Sequence, residues 1–174
     1  KTTIPTLCDA IPEKAFRVAD SQVASRWGNI CDFNGFDLIT PNEREARFAL
    51  ADQDSVVRPL ARKLYDASEA KNLILKLGSR GMIAYRSTKD QDDVRSFFAV
   101  DSFVENLKDA VGAGDALLSY ASLAHVAGKC EVSATILGAL AAAVECEHDG
   151  NVPVTPSDVL EKISKIEQRA RYHD

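Results

Sequence analysis

The sequence predicts an α/β protein in which helices cover both faces of a mostly parallel sheet. Three observations carry this expectation. Short apolar runs alternate with helical patterns from Ala15 to Ala67. A hairpin-like stretch follows between Asn72 and Arg86. From Ala113 onward the chain reads almost wholly as helix.

Residues 3–12 suit a short helix. Ala15–Asp20 reads as a buried strand with an acid at its end, and Phe36–Thr40 as a second strand. Thr40, Pro41 and Glu43 then suggest a helix start, with Thr40 as N-cap, Pro41 in the first helical position and Glu43 closing a capping box. That helix is expected to run to about Leu50. Val56, Leu60 and Leu64 recur at helical spacing within Ser55–Ala67. Asn72–Leu77 is a strand, Gly78–Gly81 a turn, and Met82–Arg86 the returning strand. Ser87–Asp93 is polar and reads as a loop. Arg95–Val100 and Phe103–Leu107 suit two further strands. Helices follow at about Ala113–Ala127, Glu131–Glu147 and Thr155–Arg171. The first two are rich in Ala and Gly, which permits close backbone approach.

The 174 residues suit one domain, residues 1–174, with a core of its own. Hydrophobic residues make up 45% and charged residues 27%, proportions that fit a soluble globular protein, and four cysteines read as reduced thiols suggest the cytoplasm. The formal net charge of −5 leaves no basic excess to track a nucleic-acid strand. No apolar run is long enough to span a bilayer, so no membrane partner is expected. Cys8, Cys31, Cys130 and Cys146 lack metal-ligand spacing and read as reduced thiols. His125 reads as a packing or surface residue. The chain opens on Lys1 with no initiator Met, so its start is expected to be a cut.

The most informative segment is Asp109-Ala110-Val111-Gly112-Ala113-Gly114-Asp115, with a helix directly after it. Two glycines around an alanine leave N–H groups uncovered, and the helix adds its positive end. Gly112, Ala113 and Gly114 therefore suit an anion hole, and Asp115 suits a base for a group attacking a phosphoryl centre. A plain tight helix start explains the same residues equally well. A dinucleotide loop fails because Leu117 stands where a third glycine is needed. No Gly-Lys-Ser/Thr of the Walker kind occurs.

Asn42 and Glu45 share one face of a helix start and suit the water ligands of Mg²⁺. An acidic first turn that complements the dipole is the plainer reading. The turn Gly78-Ser79-Arg80-Gly81 closes a hairpin and, at a strand's carboxyl end, also suits the wall of a ligand crevice. Arg80 reads as a solvated residue before a phosphate contact.

Asn42-Glu43-Arg44-Glu45 matches an Asn-x-x-Glu motif, Leu77-Gly78-Ser79-Arg80-Gly81 a Leu-Gly-x-x-Gly loop, and Asp109–Asp115 an Asp-Thr-x-Gly-Ala-Gly-Asp motif. In this order they resemble the ribokinase-like (PfkB) family of sugar kinases, over roughly Arg17–Ile166. The segment Phe36–Arg47 resembles the bacterial heptose-kinase branch. The resemblance implies a ribokinase-like three-layer sandwich and ATP-dependent phosphoryl transfer to a sugar hydroxyl. It implies Asp115 as base and Gly112, Ala113 and Gly114 as the anion hole. It places Gly78, Gly81, Asp109 and Asn42 beside the nucleotide, and Asn42 and Glu45 around Mg²⁺. A monovalent cation such as K⁺ and a homodimer are also within what it implies. Ala110 departs from the family's Thr. Family members further carry an N-terminal portion with most sugar contacts, so the chain is expected to be the C-terminal portion, inactive alone, with the missing N-terminal portion as its partner. A non-catalytic nucleotide-binding or assembly module of the same fold is the alternative.

Overall fold

The computed structural model describes residues 4–21, 30–86 and 96–171. The chain divides into two compact units, Lys1–Asp101 and Ser102–Asp174.

The first unit is built on a five-stranded sheet in the order β1-β2-β3-β4-β5. The strands are β1 Val18–Ala19, β2 Leu38–Ile39, β3 Asn72–Lys76, β4 Met82–Arg86 and β5 Phe97–Val100. The pairs β1–β2 and β2–β3 are parallel, and β4 is antiparallel to both β3 and β5. Only β4 therefore opposes the common strand direction, and the sheet is mostly parallel, as expected.

Helices α1 (Ile4–Ala10), α2 (Glu43–Leu50) and α3 (Val57–Ser68) complete this unit. Leu73 pairs across the ladder with Tyr85, and Leu75 with Ile83, so these side chains share one face. They form one core with Ala46 of α2 and with Leu60, Ala61 and Leu64 of α3. Ile74 and Ala84 point to the opposite face and are buried as well. A strand buried on both faces reads as a continuous apolar run, which is why Asn72–Lys76 was legible without alternation. Tyr85 stacks between Tyr65 and Phe97, and the Arg58 guanidinium lies 3.9 Å from the Phe97 ring centre.

The start of α2 corrects the sequence reading. Its N-cap is Asn42, not Thr40. The Thr40 N–H is bonded to the Ala19 carbonyl, and the Pro41 carbonyl accepts the Lys76 N–H at 2.9 Å. Pairing with neighbouring strands thus holds Thr40 and Pro41 extended, and the chain turns into helix only after Asn42. The capping box joins Asn42 to Glu45, leaving Glu43 outside it.

The second unit holds α4 (Ala113–Val126), α5 (Glu131–Cys146) and α6 (Pro156–Arg171). The small residues of α4 and α5 bring the two backbones together. A Cβ added to Gly138 of α5 would stand 2.9 Å from the Leu117 carbonyl oxygen and 3.2 Å from the Ala121 Cβ. Val159, Ile163 and Ile166 of α6 pack with Leu140 and Ala141 of α5. Lys162, 4% exposed, is paired with Glu147 at 2.7 Å and Glu105 at 3.4 Å.

Phe103–Leu107 is not a strand, contrary to expectation. Phe103 packs into the helical cluster, the Glu105 N–H is bonded to the Glu147 carboxylate, and the Lys108 N–H to the Cys146 carbonyl. Side chains and a helix end satisfy this segment in place of a ladder. Among the described residues no helix is long and apolar enough to cross a membrane. All four cysteines are free, with Cys130 exposed and Cys146 buried.

Candidate functional site

Two groups of site residues stand out, one in each unit. In the first unit they gather at the carboxyl ends of β1, β2 and β3, the edge where open α/β sheets take ligands. An open cleft of about 380 Å³ lies here, and Asn42, Arg44, Arg47, Lys76 and Gly78 are among its lining residues.

Asn42 Oδ1 accepts the Glu45 N–H at 2.9 Å, and Glu45 Oε2 accepts the Asn42 N–H at 2.7 Å. These bonds give Glu45 the capping-box role that the sequence reading assigns to Glu43. They leave Glu45 Oε1 outside the capping box. Glu45 is only 4% exposed. Burial raises its pKa, and the Asp20 carboxylate adds to that. The Asn42 hydrogen bonds and the Lys76 ammonium act against the rise. A buried carboxyl of this kind gains from a cation beside it. Among the described residues no group of three or more His, Cys, Asp or Glu is placed to hold a metal by itself.

Gly78 and Gly81 differ in why they are glycine. A Cβ at Gly78 would meet nothing within 4 Å, while its φ of +63° favours glycine. At Gly81 a Cβ would stand 2.1 Å from the Val100 carbonyl oxygen. Gly81 therefore admits the backbone at the end of β5, whatever else it meets. Arg80 is exposed and paired with Glu43.

Glu43 is held below the usual carboxylate range chiefly by the hydrogen bonds it accepts from Arg47; burial acts against this, and Arg80 lowers it further. Asp52 is also held well below that range, by Lys63 and Ser55. The unfolded chain binds these protons more readily than the folded one. The stability they contribute is therefore present above about pH 4 and is lost as pH falls below it. The urea midpoint is expected to drop between pH 5.5 and pH 3. A midpoint that is flat or rising on acidification contradicts these pairings.

In the second unit, Gly112 is the N-cap of the 14-residue helix α4, with φ +85°. Asp109 Oδ1 accepts the Val111 N–H at 3.0 Å and so braces the approach to the corner. The Ala113 N–H reaches the Ala110 carbonyl at 3.3 Å. The N–H groups of Gly112, Gly114 and Asp115 have no acceptor among the described residues. Asp115 is exposed, and no ion pair or hydrogen bond engages its carboxylate among the described residues. The corner thus presents three unused donors and one unused acid, while Ala113 is partly committed.

Two residues behind the corner escaped the sequence reading. A Cβ on Gly112 would stand 2.6 Å from Glu145 Oε1 and 2.7 Å from Asn151 Oδ1. Glu145 is 2% exposed, and its Oε1 has no hydrogen-bond partner. The one available signal was a lone carboxylate in the apolar run Gly138–Cys146.

Comparison with known proteins covers most of the chain. A family model described as pfkB family carbohydrate kinase matches residues 5–158. The bifunctional protein HldE of Desulfatibacillum aliphaticivorans is 28% identical over 131 residues, covering 73% of this chain and 25% of that protein. The HldE protein of Bradyrhizobium sp. (strain ORS 278) is 24% identical over 145 residues, covering 82% of this chain and 28% of that protein. Ribokinase from Thermotoga maritima matches with a TM-score of 0.72 at 25% identity, over 91% of this chain and 52% of that one. Escherichia coli phosphofructokinase-2 in complex with potassium matches with a TM-score of 0.76 at 18% identity, over 94% of this chain and 52% of that one. Ribokinase of Arabidopsis thaliana, complexed with ribose and ATP, matches with a TM-score of 0.67 at 20% identity, over 84% of this chain and 46% of that one. The structural matches show the ribokinase-like fold expected from the motifs. The chain spans about a quarter of the length of the curated relatives it matches and about half of the solved structures.

Proposed function

Since the chain belongs to the pfkB family of carbohydrate kinases, we propose that it carries the nucleotide-binding and catalytic-base portion of an enzyme that moves a phosphoryl group from ATP to a sugar hydroxyl. The observation that carries this reading is the α4 corner, where three N–H groups without acceptors stand beside an exposed, unpaired Asp115. Unused donors at a helix N-terminus suit the charge that develops on a transferred phosphoryl group.

In this reading Asp115 accepts a hydrogen bond from the attacking hydroxyl and orients it. A carboxylate is a weak base for an alcohol. The transition state of phosphoryl transfer is loose, so the proton leaves late and a weak base suffices. The Gly112, Gly114 and Asp115 amides hold the migrating group, and Asp109 keeps them in place by bracing the turn. Glu45 and Asn42 are the residues that would hold Mg²⁺ through water, which fits a buried carboxyl that favours a nearby cation. Mg²⁺, when bound, neutralises charge on the phosphates. Glu145 Oε1 and Asn151 Oδ1 are oxygen donors suited to a monovalent cation behind the corner.

The test is transfer of label from γ-labelled ATP to a panel of sugars and sugar phosphates by the full-length protein, with heptoses among the first acceptors. Acceptor-dependent labelling that EDTA abolishes is expected. ATP binding with no transfer to any acceptor contradicts the reading and makes the protein a non-catalytic module. Binding of NAD in preference to ATP contradicts it in a different way.

A further inference from the structure

Lys162 is an ammonium buried where packing needs none. It stands on α6 between Val159 and Ile163, which pack on α5, and is itself almost wholly buried. A methionine would cover the same apolar surface without the cost of desolvating a charge. Buried ion pairs add little stability over apolar side chains of similar volume; what such a pair can supply is a fixed geometry.

The geometry fixed here is that of Glu147. Its Oε1 accepts a hydrogen bond from the Lys162 ammonium at 2.7 Å and another from the Glu105 N–H at 2.8 Å. The Glu105 carboxylate lies 3.4 Å from the same ammonium and is paired with the exposed Arg169 at 2.5 Å. The residue before Glu147 continues the contact. The Cys146 carbonyl accepts the N–H groups of Lys108 at 2.8 Å and Asp109 at 3.3 Å. Two consecutive residues at the end of α5 thus hold the run Glu105–Asp109, which has neither helix nor strand of its own. Asp109 in turn accepts the Val111 N–H, directly before the Gly112 N-cap of α4.

We propose that Lys162 is a positioning residue for phosphoryl transfer: by orienting Glu147 it holds Glu105–Asp109 on the end of α5, and so sets where the Gly112–Asp115 corner stands. The proposal rests on the catalytic reading of that corner given above. Without the ammonium, the Glu147 carboxylate, 24% exposed, turns toward water and the Glu105 N–H loses its acceptor. A merely stabilising ion pair and a positioning one differ in where the loss is felt. The first loosens the whole unit, whereas the second loosens the run that leads into the corner.

The test is turnover of the full-length protein with saturating ATP and acceptor, together with amide hydrogen exchange, both read well below the melting temperature. Lys162→Met is expected to lower kcat about 10- to 100-fold, the effect that a displacement of about 1 Å has at a reacting group. It is also expected to speed exchange in residues 105–111 while the middle of α4 and of α5 exchanges as before. Arg169→Met removes the outer partner of Glu105 but leaves Lys162, Glu147 and the Glu105 N–H bonded, so it is expected to keep kcat within about twofold. If Lys162→Met fails to fold because it strands Glu147, K162M/E147A removes both charges and the acceptor, and the same losses are expected. Faster exchange throughout the unit alike, or an equal loss in Arg169→Met, overturns the proposal. A wild type that transfers no phosphoryl group to any acceptor overturns the catalytic reading and this proposal with it. A wild type that turns over, beside Lys162 variants that do so equally well, overturns only the role of Lys162.

Discussion

Asp115→Ala in the full-length protein is expected to lower turnover by about two to four orders of magnitude, the usual contribution of a positioned general base. Nucleotide affinity is expected to change little. Both expectations follow from how Asp115 is held. It stands in the first turn of α4, exposed, with no ion pair among the described residues, so its removal breaks no internal bond. The loss to stability is limited to the favourable interaction of a carboxylate with a helix N-terminus, about 0.3–1 kcal/mol. Alanine is also a good helix former, so α4 should persist. The measurement is kcat with saturating ATP and acceptor, alongside a thermal melt and a calorimetric ATP titration. Turnover within tenfold of wild type removes Asp115 from the mechanism. A collapsed melt would show a structural role that the geometry does not support.

Gly112→Ala is expected to lose both stability and turnover. Two separate effects act at this position. The backbone φ of +85° disfavours any side chain, which costs about 1–3 kcal/mol. The new Cβ would also stand 2.6 Å from Glu145 Oε1 and 2.7 Å from Asn151 Oδ1. Glu145 is buried and cannot simply swing into water. Asn151 is exposed and can turn aside, so the buried Glu145 is what is expected to pass part of the strain to the corner and its unused N–H groups. Gly150→Ala separates the two effects. Gly150 has a φ of +77°, but a Cβ there meets nothing within 4 Å. It should lose stability from strain alone. Gly112→Ala should lose more in a urea titration, and should lower kcat where Gly150→Ala does not. Equal losses with turnover retained would mean that the corner tolerates displacement.

The parts of the fold that were legible in the sequence are those set by near neighbours. The hairpin of β3 and β4 and the spans of α4, α5 and α6 follow from period, turn residues and small-residue content over short windows. The start of α2 was misplaced because Thr40 has a strong local capping preference. Its N–H is claimed instead by Ala19, far away in the chain. Phe103–Leu107 misled for a similar reason, since Phe103 serves a helical cluster while Leu107 is left exposed. At the site, the residues of the corner were legible because one short run supplies them all. Glu145 and Asn151 meet Gly112 only through the packing of α5 and the chain after it, and Asp20 meets Lys76 across 56 residues. Such contacts leave no local pattern. The Asn42–Glu45 box lay between the two cases: the residues were noticed, but their mutual bonding depended on where the helix began.

The close contact at Gly138 has a mechanical consequence. With the Leu117 carbonyl 2.9 Å from the point a methyl group would take, any side chain at Gly138 must push α4 and α5 apart or bend one of them. Leu117 stands two residues after Asp115 on α4, so such a displacement is expected to reach that carboxylate. A lesion buried midway along α5 can therefore surface as an enzymatic defect with every reacting group still in the chain, and mutational screens of this protein should not equate remoteness from the corner with innocence.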